Sequence, residues 1–130
     1  MKNSTMLKIA SLLSLLLMMI HLADDIARGI EKGGVGNLAA IPIAALWAYG
    51  ALVVGDRRSG YLIMLLGSLF ALLPPALHMT GRGIGAGSYI ARTGGSFFFA
   101  WTLLAIGTTG LFSLVLLVHM LWTAKWGKSR

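Results

Sequence analysis

His21, Leu22, Ala23, Asp24 and Asp25 bring one imidazole and two carboxylates together at the end of an otherwise apolar stretch. On a helix, positions 21, 25 and 28 share a face and 21 and 24 are neighbours. His21, the aspartates and Arg28 are therefore within local reach of one another. A second histidine, His78, is expected at the same end of the molecule, and His119 at the other. His21, Asp25 and His78 would make a two-histidine, one-carboxylate set of the kind that holds zinc, or non-haem iron or manganese. His21 and His78 alone would be axial ligands for a haem. The plainest use of the same residues is an ion-pair network. Asp24 stands four residues and Asp25 three residues before Arg28, both favourable spacings for a helical acid–base pair. Arg82 and Arg92 are further cations on that side, available to the second carboxylate.

Composition bears on what holds these groups. The 130 residues are 57% hydrophobic, with eleven Lys and Arg, four Asp and Glu, and a formal net charge of +7. The mean hydropathy is +0.81. A chain this apolar reads as an all-α integral membrane protein, not a soluble domain. Its basic residues sit at segment ends and not on one face, which excludes nucleic acid as the partner and suits a lipid bilayer. The absence of cysteine excludes disulfides, thiolate metal sites and thiol redox chemistry.

Runs without formal charge, 9–23, 33–55, 59–81 and 93–124, divide the chain into four segments. They predict a single membrane domain, a four-transmembrane-helix bundle with helices near 7–32, 37–55, 60–79 and 96–124. The first run is short for a bilayer of about 30 Å. Either Lys8 snorkels, or the aspartates lie within the bundle with partners. Lys2, Lys8 and the apolar run that follows imitate a secretory leader, but His-Leu-Ala before Asp24 is not a small-x-small cleavage site. A retained helix is expected, running toward Lys32 with Gly33 and Gly34 as its stop.

Seven basic residues, Lys2, Lys8, Arg57, Arg58, Lys125, Lys128 and Arg130, fall on one side and four, Arg28, Lys32, Arg82 and Arg92, on the other. That asymmetry places both termini in the cytoplasm of a bacterial cell, with the protein in the cytoplasmic (inner) membrane. Ala44, Ala48, Ala51 and Gly55, and then Ala105, Thr109 and Ser113 with Gly107 and Gly110, form small-residue ridges for close helix packing. Trp47, Tyr49, Tyr61, Trp101, Trp122 and Trp126 suggest interfacial belts. Pro74 and Pro75 should break the third helix just before His78. The glycine-rich segment 81–87 has no dinucleotide or phosphate-loop spacing. Met18 and Met19 beside His21 are expected to be core filling.

The pattern His21-x-x-Asp24-Asp25 resembles the HxxEE signature of small, uncharacterised multi-helix bacterial membrane proteins, with both acids shortened to aspartate. The resemblance spans five residues and the general architecture. It implies a site at His21, Asp24 and Asp25 and no particular reaction; the shorter carboxylates reduce its reach.

No serine has a base partner and no catalytic motif is present, so the sequence leans away from an enzyme. Three functions stay open. The favoured one is a small non-enzymatic accessory subunit of a membrane assembly, paired with other subunits or with itself, whose outer His/Asp cluster organises the bundle or binds a ligand. The second is a metal- or haem-binding protein using His21, Asp25 and His78. The third is a small proton-coupled transporter using Asp24 or Asp25.

Overall fold

The computed structural model describes residues 3–79 and 97–123. Among them the chain is helical, without strands. Helix α1 spans Asn3–Ala27, a 3-10 turn Val35–Ala39 leads into α2, Ala40–Leu52, and α3 and α4 follow as Arg58–Ala71 and Leu73–Met79; α5 is Phe97–Thr123. The stretches Asn3–Ala27, Val35–Leu52, Arg58–His78 and Phe97–Thr123 are each long and apolar enough to cross a membrane. Lys2, Arg82, Arg92, Lys125, Trp126, Lys128, Arg130 and segment 81–87 lie outside the described residues.

Helix α1 packs most extensively on α5; α2 lies against α1 and α3, and α3 against α5. The polarity of α1 runs opposite to that of a helix in water. Its outward stripe is Ile9, Leu13, Leu16 and Ile20, whereas its buried stripe includes Ser11, Ser14, His21 and Asp25. Both stripes repeat at helical spacings of three and four.

Two helix ends differ from the sequence expectation. Helix α1 stops at Ala27, five residues before Lys32, because Gly29 and not Gly33 or Gly34 takes the left-handed backbone, φ +70°. Gly29 N–H donates to Ile26 O and Ile30 N–H to Asp25 O, which is the paired bonding of a Schellman stop. The third segment breaks at Leu72, so His78 sits in a short second helix and not beyond a helix end. Pro74 and Pro75 occupy the first turn of that helix, where a missing N–H leaves no bond unmade.

Glycines bring the helices close. A Cβ on Gly67 would lie 2.2 Å from the indole of Trp47, so only glycine admits that ring between α2 and α3. Trp47 is accordingly 3% exposed, and its Nε1–H donates to Ser11 Oγ at 2.7 Å. It is a core residue, not the belt residue that the sequence suggested; Trp101 and Trp122 do face outward. Gly67→Ala should displace the indole and lower stability by about 1–3 kcal/mol. Reversible unfolding in detergent would measure this, and an unchanged midpoint would refute the packing argument.

At the end of the bundle holding the N-terminus of α1, Lys8 Nζ and Ser4 Oγ both donate to the Asp56 carboxylate, at 2.6 and 2.5 Å. This clamp joins α1 to the α2–α3 turn and gives Lys8 a partner. The pair is exposed, so Asp56→Asn is expected to cost less than about 1 kcal/mol in the same assay.

Candidate metal centre

His21, Asp25 and His78 meet at the end of the bundle opposite that clamp, and one ligand atom from each lies within 4.8 Å of the others. The local cause is the regular turn of α1, which stacks His21 over Asp25, together with the break at Leu72. The break lets α4 follow its own course, packed on α5 and α3. His21 Nε2 is 3.4 Å and His78 Nε2 3.7 Å from the same oxygen, Asp25 Oδ2. Both separations exceed a good hydrogen bond. They approach the edge of a tetrahedron around zinc, roughly 3.4 Å for metal–ligand bonds of about 2.1 Å.

His21 is 3% and Asp25 7% exposed. Both ring nitrogens of His21 and Oδ1 of Asp25 are buried without a hydrogen-bond partner. Leaving buried polar groups unsatisfied is costly, and most for a carboxylate.

The local ion pair forms, but with one aspartate. Arg28 Nε donates to Asp24 Oδ2 at 2.7 Å. Asp24 is thereby held by Arg28 at the rim while Asp25 turns inward to the histidines. Arg82 and Arg92, the other cations considered for this cluster, lie outside the described residues. His119 is exposed on α5 and not part of the group.

Phe99 is a part of the site that sequence reasoning missed. Fully buried on α5, it places its ring 5.3 Å from that of His21 and 5.8 Å from that of His78, centroid to centroid. Ile30 packs over Phe99 and Leu103, brought there by the Gly29 stop. The two histidine rings touch edge to face at 5.2 Å. A porphyrin has no space between rings in contact, so the haem arrangement does not fit this geometry.

Beside the trio opens a cavity of about 440 Å³ whose wall includes His21, Asp25 and His78. Glu31 and Asn37 stand on the same wall, and Met18, Trp47 and Phe70 contribute apolar surface. A site with three protein ligands beside open space is the arrangement of a metal that keeps coordination positions for another molecule.

Comparison with protein-family models, with curated proteins and with solved structures finds no match to this chain. The chemistry of the site therefore rests on its own geometry.

Proposed function

We propose that the chain is an integral membrane protein whose four-helix bundle binds one divalent transition metal ion through His21, Asp25 and His78. The observation that carries this reading is the convergence of three ligand atoms on a point where His21 and Asp25 have buried, unpartnered polar atoms. A cation would take one buried nitrogen of His21 and the Asp25 carboxylate as ligands, with His78 as the third. Two imidazoles and one carboxylate suit zinc, iron or manganese better than calcium or magnesium, which take oxygen ligands.

The membrane part of the reading is supported by the reversed polarity of α1 and by the apolar outward faces of α2 and α5. With the Lys8/Asp56 end toward the cytoplasm, the metal centre lies near the outer face of a bacterial inner membrane. The chain has no cysteine, so single-cysteine variants are clean probes of sidedness. Ser59→Cys should react with a membrane-impermeant maleimide only from the cytoplasmic side, and Gly36→Cys only from outside. The opposite pattern would reverse the topology.

The accessory-subunit reading draws less support than the sequence offered it. Ala51 is fully buried, and Gly67 and Gly110 meet Trp47 and Ala71, so small residues of the bundle are engaged within one chain.

The deciding experiment is elemental analysis of detergent-purified protein supplied with Zn²⁺, Mn²⁺ or Fe²⁺, together with Co²⁺ titration followed by visible absorption. About one ion per chain, removable by a chelator, is expected. Failure of every one of these ions to bind would dismiss the proposal.

A further inference from the structure

The cavity beside the trio has a shape and polarity that select a kind of ligand. On α1 its lining runs from Leu15 to Asp25, a rise of roughly 15 Å. One end is polar, with the trio and Glu31. The other is apolar, with Leu15 and Trp47. Its volume, about 440 Å³, falls in the usual range of small-molecule sites. It is not a residual packing gap, because such gaps rarely exceed a water molecule.

The wall opens sideways. Helix α4 leans on α5 and α3 and makes no extensive contact with α2. Ile43 of α2 and Leu73 of α4 both line the cavity, and each remains 48% exposed. In a bilayer this mouth faces the acyl chains, so a lipid-dissolved molecule reaches the site without crossing water.

Charge narrows the head group. A divalent ion with Asp25 and Glu31 beside it sums to zero formal charge, which leaves nothing for an ionic head to neutralise. Burying an unmatched charge there would be costly. A neutral oxygen donor can coordinate the ion with no such cost.

We propose that this cavity binds a neutral, single-chain amphiphile, a medium-chain alcohol or aldehyde, with its oxygen on the metal and its tail along Trp47. This ligand assignment rests on the metal reading above. Phe70 and Leu73 flank the tail, and the lateral gap between α2 and α4 is its route from the membrane. The tail is limited to the cavity's length, so longer chains must protrude through that gap.

The test uses 8-bromooctan-1-ol, whose bromine quenches tryptophan on contact. Trp101→Phe, Trp122→Phe and Trp126→Phe together leave Trp47 as the reporter. The protein is loaded with Co²⁺ in detergent. The expected result is saturable quenching of Trp47 and a change in the Co²⁺ visible bands at the same ligand concentration, both reversed by octan-1-ol. Ala44→Phe, which fills the cavity from α2, should retain Co²⁺ and weaken ligand binding about tenfold or more. Quenching that rises linearly with alcohol and leaves the Co²⁺ bands unmoved reports partition into detergent only, and overturns the ligand assignment while the metal reading stands. Unaltered affinity in Ala44→Phe overturns it as well. Failure of Co²⁺ to bind, with Zn²⁺, Mn²⁺ and Fe²⁺ failing likewise, defeats the metal reading itself, and with it the proposed contact of the head group.

Discussion

Replacing His21 with alanine is expected to abolish stoichiometric Co²⁺ binding, while Asp24→Asn leaves it close to that of the parent protein. Even an outer partner that merely orients a ligand typically costs 10- to 100-fold in metal affinity when removed. Loss of one of only three direct ligands should therefore exceed about 100-fold. His78→Ala should be as damaging, since His21 and His78 approach the same Asp25 oxygen at 3.4 and 3.7 Å. Asp24 differs because its carboxylate is already held by Arg28. The contrast between adjacent aspartates is the sharp part of the test. A simple local electrostatic cluster would respond to either one, whereas a metal centre responds to Asp25 alone. Titrating the four variants with Co²⁺ by visible absorption gives the answer directly. Equal losses in Asp24→Asn and Asp25→Asn would count against the site.

The largest stability loss is expected at Phe99. Its ring is fully buried, lies against both histidines, and forms a cluster with Leu103 under Ile30. Phe99→Ala removes that packing at a place where three elements meet, at a cost of about 3–5 kcal/mol. Phe99→Leu retains most of the volume and should cost less than about 1.5 kcal/mol. Both are measurable by reversible denaturation in mixed detergent micelles. Phe99→Ala should also weaken Co²⁺ binding, because the two imidazoles lose the surface that fixes their angles. An alanine variant as stable as the parent protein would show that the ring is not what holds this end together.

What was legible in the sequence follows from local geometry. The four helical segments came from runs of apolar residues, and the stacking of His21 on Asp25 from helical spacing alone. Placing His78 at the same end needed only a count of segments. Other features depended on partners remote in the chain. Four glycines, 29, 33, 34 and 36, follow α1 closely, and composition does not say which one turns left-handed. Trp47 has the amphipathic character of a belt residue. Its burial depends on Gly67 opposite and Ser11 on another helix, a pairing that periodicity cannot reveal. Asp56 carried no pattern of its own, and its role appears only when the α2–α3 turn meets Lys8. The division of labour between Asp24 and Asp25 likewise needs the helix to be rotated against α4 and α5 before one acid meets His78 and the other is left to Arg28.

The packing of α1 on α5 has a consequence for biosynthesis. The helix with the most polar inner stripe finds its most extensive neighbour in the helix made last among those described. In the membrane setting proposed above, the serines, His21 and Asp25 are only partly screened from lipid while the ribosome works through α2, α3 and α4. Those polar groups are poorly tolerated in hydrocarbon, so the nascent bundle is at its most vulnerable until α5 arrives and closes it. A membrane protease that recognises polar groups facing lipid would thus distinguish unfinished chains from finished ones by this single docking event.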